Sequence, residues 1–157
     1  MTRACAIFQS AVLLVAFPMA TVADTAAHTP PPGSAERQAI CDAARTYVVH
    51  RYANKPLPKP IVFKIEHLLV ADRSANLEAV AMFKDSSPVA PEFMADVVLN
   101  LCLQRPHAGW HVVADLSRTD VPEPTEIAQI RDRLPRDFPL NVFSETWRKL
   151  LSGQNRE

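Results

Sequence analysis

Four carboxylates occur where the strand-like segments of this chain place polar side chains: Glu66, Glu78, Asp96 and Asp115. Adjacent antiparallel strands bring opposite residues close together, so two of these groups could form the pair that general acid–base catalysis needs. The polar, solvent-facing side of an antiparallel sheet produces the same pattern without catalysis. The pattern therefore permits a hydrolase or isomerase, and a solvated sheet face is the interpretation we favour.

The sequence lacks the patterns of cofactor and metal sites. Its only glycines are Gly33, Gly109 and Gly153, whereas dinucleotide and phosphate loops need several closely spaced glycines. No Gly-x-Ser-x-Gly elbow, His-Glu-x-x-His motif or Cys-x-x-Cys pair is present. The histidines are scattered along the chain: His28, His50, His67, His107 and His111. We therefore expect no cofactor and no metal, and we assign no catalytic residue.

Two cysteines, Cys41 and Cys102, lie outside the N-terminal apolar segment that holds Cys5. In an oxidising compartment they could form one disulfide, provided that the fold brings their Cα atoms within about 7 Å. We predict this bridge unless the helix covers the leucine face of the sheet. Leu101 and Cys102 are neighbours in a strand, so their side chains point to opposite faces, and a helix on the leucine face leaves the two thiols apart.

Cys41 has an alternative interpretation as a reactive thiol. Arg37 and Arg45 lie one helical turn on either side of it. Positive neighbours lower the pKa of a thiol and so favour the nucleophilic thiolate.

A compact polar cluster, Ser117-Arg118-Thr119-Asp120, follows the last strand-like segment. Such a cluster could form the rim of a binding site. Serine, threonine and aspartate also cap helices and stabilise turns, so a local structural role is the alternative.

The N-terminal residues have the three-part pattern of a secretory leader. Arg3 supplies a positive charge, residues 4–17 are almost wholly apolar, and Thr21-Val22-Ala23 provides small residues for cleavage. The apolar run ends at Pro18 and is shorter than the about 20 residues that a membrane-spanning helix needs. We predict a cleaved signal peptide over residues 1–23, a periplasmic or secreted chain, and no membrane contact after cleavage.

The charge balance restricts the class of partner. The full chain has 17 basic and 17 acidic residues, and cleavage removes a single arginine. Nucleic acids and anionic membranes attract strongly basic surfaces. Neither is expected as a partner here.

The chain after the leader is long enough for one domain. Residues 24–33, with three consecutive prolines, are predicted to be a disordered lead-in. Ser34 is a good N-cap, and apolar residues then recur at three- and four-residue spacing: Ala39, Ile40, Ala43, Ala44, Tyr47 and Val48. This spacing predicts an amphipathic helix. The alternating prolines of residues 55–60 predict a stiff connector, with a polyproline ligand motif as the alternative.

Two-residue alternation then predicts four strands, over residues 61–71, 77–83, 93–103 and 110–116. In the first strand, one face is expected to hold Phe63, Ile65, His67 and Leu69. In the last, one face is expected to hold Trp110, Val112, Ala114 and Leu116, with Asp115 on the other. Short connections make neighbouring strands antiparallel.

These elements predict an α+β fold in which an N-terminal helix packs on a four-stranded antiparallel meander, over residues 34–120. Residues 121–157 are expected to add short C-terminal helices to the same domain. The first of these helices is predicted over residues 125–134, and the second begins at Ser144.

The order of helix, proline-rich connector and meander resembles the superfamily of cystatin-like and nuclear-transport-factor-like folds, in particular its small exported bacterial members. The meander closes on Gly109-Trp110-His111-Val112-Val113-Ala114-Asp115, and the resemblance covers about residues 34–120. It implies that Trp110 is a buried structural anchor. The Gln-x-Val-x-Gly hairpin of protease-inhibiting cystatins is absent, so the resemblance implies a fold and no activity.

We therefore expect an exported, non-catalytic binding protein, either a protein-interaction module or an inhibitory, immunity-type module. Its partner would be another exported protein. Two alternatives remain: a binder of small hydrophobic ligands that uses the cone between helix and sheet, and a cofactor-free hydrolase or isomerase that uses the strand carboxylates.

Overall fold

The computed structural model describes residues 26–118 and 120–153. The predicted signal peptide and Thr119 lie outside these residues. The elements follow the expected order: α1 (Ala35–Arg51), β1 (Ile61–Ala71), β2 (Ser74–Phe83), β3 (Val98–Gln104), β4 (His111–Asp115), α2 (Pro124–Arg133), a 3-10 turn (Leu140–Val142) and α3 (Glu145–Ser152). The strands form one antiparallel sheet in the order β1-β2-β3-β4. The predicted α+β fold, with one helix, a four-stranded meander and short C-terminal helices, is confirmed.

The first helix begins where the sequence predicts. Ser34 is the N-cap, and its Oγ accepts a hydrogen bond of 3.2 Å from the backbone N–H of Arg37. Such a cap contributes about 1 kcal/mol to helix stability. Ile40, Ala44 and Val48 follow at four-residue spacing and are fully buried against the sheet.

The sheet has two covered faces. The face under α1, here called the helix face, includes alternate residues of β2 and β3, among them Leu77, Leu99, Leu101 and Leu103. Trp110 joins this core with 8 % of its surface exposed, and the Arg105 guanidinium lies 5.1 Å from its ring centroid.

The opposite face, here called the back face, is covered over part of its area by the C-terminal region. Ile130 of α2, Val142 of the 3-10 turn, Phe143 and Leu151 of α3 pack there with Cys102 of β3. The C-terminal helices thus share a core with the sheet. In the part of the chain that the structure describes, no helix is long and apolar enough to cross a membrane.

The lead-in, expected to be disordered, contacts both α1 and the sheet where the structure describes it. His28 and Val70 form an isolated antiparallel bridge with two backbone hydrogen bonds of 2.9 Å. The His28 ring also contacts a carboxylate oxygen of Glu36 at 3.0 Å.

A bulge in β1 changes the face on which its second half lies. Ile65 and His67 pair with consecutive residues of β2, so Glu66 is the extra residue. One extra residue exchanges the two faces of the strand beyond it. The expectation that His67 and Leu69 share a face with Phe63 and Ile65 is therefore wrong: both lie on the back face.

A second irregularity occurs in β4. Cys102 pairs with Ala114 and Leu103 with Val112, which leaves Val113 as the extra residue. Ala114 therefore lies on the back face, whereas Asp115 is paired with a helix-face leucine of β3. The predicted alternation, with Ala114 on the apolar stripe and Asp115 opposite it, is wrong at this point. Strand β3 also begins at Val98, later than predicted.

Candidate functional site

A cleft of about 390 Å³ opens between α1, the end of β4 and α2. Its apolar floor consists of Leu116 and Ile130. We call this cleft the arginine cleft. Its polar lining is formed by Tyr47, Arg51, Asp115, Ser117, Arg118 and Arg133.

Asp115 is the centre of the hydrogen bonds in this cleft. The Tyr47 hydroxyl donates to its Oδ2 at 2.8 Å, and the Arg51 guanidinium forms an ion pair with the same oxygen. The backbone N–H of Ser117 donates to Oδ1 at 2.9 Å. Both oxygens are engaged, and the side chain is only 13 % exposed. The arrangement holds Asp115 as a fixed acceptor.

Local sequence explains how these groups meet. Tyr47 and Arg51 are four residues apart in α1, so they lie one above the other on the same side of the helix. The extra residue Val113 turns Asp115 toward them. After the strand, Ser117 Oγ accepts a hydrogen bond of 3.0 Å from the backbone N–H of Asn100, which fixes the chain beside β3.

The four carboxylates that the sequence predicts on strands are not brought together: Glu66 is the exposed extra residue of β1, and Asp96 precedes β3. Asp96 and Asp115 both form ion pairs with Arg51, at 3.3 Å in the case of Asp96. Glu78 lies on the back face opposite His67 and Asn100. Arg51 is therefore held between two carboxylates, Asp115 in the cleft lining and Asp96 outside it, in an arrangement of structural ion pairs.

Arg118 connects the end of the sheet to α2. Its Nη2 donates to both carboxylate oxygens of Glu126 at 3.2 Å, and its Nε donates to Asp120 at 3.1 Å. Partial burial lowers the pKa of the Arg118 guanidinium, but the hydrogen bonds to the two acids outweigh this effect and raise it overall. The pKa of Glu126 is lowered, first by the hydrogen bond from the Glu123 backbone N–H and then by Arg118.

Arg133 is the last residue of α2 and is exposed. Its Nε donates to the Gln129 carbonyl at 3.4 Å. No carboxylate of residues 26–118 or 120–153 forms an ion pair with it. The cleft lining thus contains three arginines, of which Arg51 and Arg118 are paired with acids inside or beside the cleft. Arg133 is the one arginine of this lining without an acidic partner among the described residues.

The predicted rim residues are only partly brought together at this cleft. Ser117 and Arg118 form part of its wall. Asp120 contacts Arg118 at the outer edge and is exposed, and Thr119 lies outside the described residues.

Sequence reasoning did not identify Tyr47, Arg51 or Arg133 as site residues. The four-residue spacing of Tyr47 and Arg51 was a usable signal. The position of Arg133 depends on how α2 packs, and no local pattern of the sequence reports that.

The two cysteines lie on different sides of the sheet. Cys41 is on α1, which covers the leucine face, whereas Cys102 is fully buried on the back face. Because α1 covers the leucine face, no bridge between Cys41 and Cys102 is expected, and both thiols are free in this structure. Burial raises the pKa of Cys41 despite the opposing effects of Arg45 and Arg37. Burial also raises the pKa of Cys102 to about 12. Neither environment favours a reactive thiolate.

The interface between α1 and the sheet, which is the place of a small hydrophobic ligand in one alternative interpretation of the sequence, is a filled core. Ile40, Ala44, Val48, Leu77 and Leu101 meet there with no exposed surface. Within the described ranges, no group of three or more His, Cys, Asp or Glu side chains could hold a metal ion. His67 instead contacts the Val142 carbonyl at 2.7 Å through Nε2.

No protein-family model matches this chain. Searches of curated proteins and of solved structures likewise give no significant match.

Proposed function

We propose that this chain is an exported, non-catalytic protein-binding module, and that its arginine cleft receives an acidic segment of another exported protein. The observation that carries this proposal is Arg133, an exposed arginine of the cleft lining that forms no ion pair with any residue that the structure describes. Arg51 and Arg118 line the same concave surface and are paired with acids, Arg51 with Asp96 and Asp115 and Arg118 with Asp120 and Glu126.

Arginine is suited to this role because its planar guanidinium binds a carboxylate through two parallel hydrogen bonds. Arg51 and Arg118 are already held in place by ion pairs, so a ligand pays little side-chain entropy to order them. Arg133 is exposed and is free to close on a ligand.

Export is supported by the leader pattern, in which Arg3, the apolar residues 4–17 and Thr21-Val22-Ala23 follow the order of a cleaved signal peptide. We propose the periplasm or the exterior as the location and another exported protein as the partner. An inhibitory, immunity-type role fits a small domain that presents one charged cleft.

We also propose a more specific fold than α+β. The order of one helix, a proline-rich connector and a four-stranded meander supports a cystatin-like or nuclear-transport-factor-like architecture. Trp110, buried at the start of β4, fits the structural anchor that this resemblance implies.

Arg133→Gln tests the proposal, with Arg148→Gln as the control because Arg148 is an exposed arginine of α3 outside the cleft lining. Purified wild-type protein, immobilised, is expected to retain one exported protein at a stoichiometric level from the matching periplasmic extract. Arg133→Gln should lose most of that protein, and Arg148→Gln should retain it. Retention that is equal in all three proteins, or no stoichiometric partner, contradicts the proposal.

The salt dependence gives a second readout. Exposed ion pairs are screened at high ionic strength, so the retained protein should elute between about 0.1 and 1 M salt. Elution that requires detergent or denaturant and is insensitive to salt would contradict an electrostatic cleft.

A further inference from the structure

We infer that the uncovered end of the back face binds a single-chain aliphatic carboxylate of the fatty-acid class, with its alkyl chain in an apolar groove and its carboxylate on Lys64. This site is separate from the arginine cleft, because the two share no lining residue. The inference therefore goes beyond the proposed function and does not depend on it.

The C-terminal region covers only one end of the back face, the end that holds Cys102. At the other end, back-face side chains of three strands are exposed or half-buried: Val62, Lys64, Val80, Met82 and Val98. Val62 is 36 % exposed and Val98 is 44 % exposed. Contiguous apolar surface of this kind marks binding sites, whereas single exposed apolar side chains do not.

A groove of about 250 Å³ opens at this end of the sheet. Its apolar lining is aliphatic throughout: Val80, Ala81, Met82, Pro88, Val89 and Val97. The loop that follows β2 is held against this strand, because Met82 and Pro88 form an isolated bridge and the Ala81 N–H donates a 2.8 Å hydrogen bond to the Val97 carbonyl. The groove is therefore part of the folded domain.

The size and lining of the groove favour an alkyl chain. Pockets for drug-sized ligands have volumes of about 300 to 1,000 Å³, so this smaller groove suits a single chain better than a fused ring system. The Met82 side chain is flexible and adapts to an irregular apolar ligand. Each methylene group that leaves water tightens binding by up to about 4-fold.

Lys64 gives the groove its charge. It is the one charged residue of the lining and is exposed. Its ammonium forms no ion pair or hydrogen bond with any residue that the structure describes. Glu78, the neighbouring back-face acid of β2, does not line the groove. An unpaired ammonium beside aliphatic surface complements a carboxylate that carries an alkyl chain, and the lysine stem can lie along that chain.

Methionine methyl NMR locates the ligand. The chain that cleavage of the predicted leader leaves contains two methionines, Met82 in the groove lining and Met94, which is fully buried in the helix-face core. Titration with sodium decanoate should shift the methyl signal of Met82 saturably and leave that of Met94 in place. Octanoate, decanoate and dodecanoate should bind with increasing affinity, by about 2- to 4-fold per methylene group.

The head group tests the role of Lys64. Decyltrimethylammonium has an alkyl chain of almost the same length as decanoate and the opposite charge. An exposed ion pair changes affinity by up to about 5-fold, and repulsion between like charges acts by a similar factor. The wild type should therefore bind decanoate about 5-fold or more tightly than the cation, and Lys64→Glu should reverse this preference.

Lys84→Glu is the matched control, since it makes the same change of charge at an exposed lysine outside the groove lining. Lys84 lies four residues beyond Val80, the strand partner of Lys64, which is about 13 Å along an extended chain. Charges are screened over about 8 Å at 0.15 M salt. This variant should keep the preference of the wild type for decanoate.

Three outcomes would overturn the inference: equal binding of decanoate and decyltrimethylammonium to the wild type, a preference for decanoate that survives in Lys64→Glu, or a Kd above about 1 mM for all three fatty acids. A Met82 signal that shifts with protein concentration alone, together with a dimer in sedimentation, would show that a second copy covers the groove instead. Arg133→Gln should bind decanoate as the wild type does, so failure of this site and failure of the proposed function are separate results.

Discussion

The Tyr47 hydroxyl of α1 donates a 2.8 Å hydrogen bond to Asp115 at the end of β4, across 68 positions of sequence. The bond forms because Val113 is an extra residue in β4 and turns Asp115 to the helix face. It ties the first element of the domain to the last strand of its sheet at the edge of the arginine cleft. A hydrogen bond to a charged, largely buried group contributes more to stability than one between exposed neutral groups.

Tyr47→Phe is expected to lower the free energy of unfolding by about 1 to 2 kcal/mol, because it leaves Asp115 with one donor fewer. Urea denaturation measures this change. Tyr52→Phe is the control: the Tyr52 hydroxyl has no hydrogen-bond partner among the described residues, so its removal should change stability by less. Equal losses of unfolding free energy in the two variants would show that the Tyr47–Asp115 hydrogen bond does not stabilise the fold.

Asp115→Asn is expected to destabilise the fold by about 1 to 3 kcal/mol, since Arg51 loses one of its two acidic partners in a partly buried setting. Asp42→Asn provides the comparison. Asp42 pairs with Arg45 on the helix surface with 68 % of its side chain exposed, and such pairs contribute at most about 1 kcal/mol. A larger loss in Asp42→Asn than in Asp115→Asn, by urea denaturation of both, would contradict this account.

The thiols give a chemical test of the sheet's two faces. In a Cys5→Ser chain that has been exposed to air, denatured protein without reductant should show two reactive thiols. In the native state Cys102 should not react at pH 8, because burial raises its pKa to about 12, and half-buried Cys41 should react slowly. If denatured protein shows no thiol until a reductant is added, Cys41 and Cys102 are bridged.

Acid should weaken the attachment of α2 to the end of the sheet. The folded-state pKa of Glu126 is lowered, first by the Glu123 backbone N–H and then by Arg118. A lowered pKa contributes stability above the unfolded value of about 4.3, and this contribution disappears as the pH falls through the lower folded value. Between pH 6 and pH 3 the wild type should therefore lose more stability than Glu126→Gln.

Urea midpoints at the two pH values measure this difference. Asp132→Asn is the control on the same helix, because Asp132 is exposed and forms no ion pair with any residue that the structure describes. This variant should lose as much stability as the wild type on acidification. If Glu126→Gln does the same, the link between Glu126 and Arg118 does not contribute to the acid sensitivity.

The sequence predicted the elements of this fold because each has a local cause. Ile40, Ala44 and Val48 repeat every four residues, and Leu99, Leu101 and Leu103 every two. The bulges were not predictable in the same way. An extra residue such as Glu66 or Val113 is defined by the pairing of two strands, and neither strand's own pattern contains it.

The site residues also divide into those that a local pattern predicts and those that only strand pairing or packing brings in. Ser117 and Arg118 could be named as rim residues because they form a polar cluster directly after a strand. Tyr47 and Arg51 enter the cleft only because the bulge in β4 turns Asp115 toward them, and Arg133 enters because α2 packs over the end of the sheet. These positions depend on tertiary packing, which a single sequence does not specify.

The bridge between His28 and Val70 gives residues 26–33 a protective role. β1 is an edge strand, and unpaired backbone groups at a sheet edge can template pairing between molecules. The lead-in occupies this edge near the end of β1, and the Arg37 guanidinium holds it through a 3.1 Å hydrogen bond to the Pro30 carbonyl. A processing protease that trimmed the chain back to Ser34 would remove Ala27 from the back-face core and uncover this edge, which leaves a domain prone to self-association.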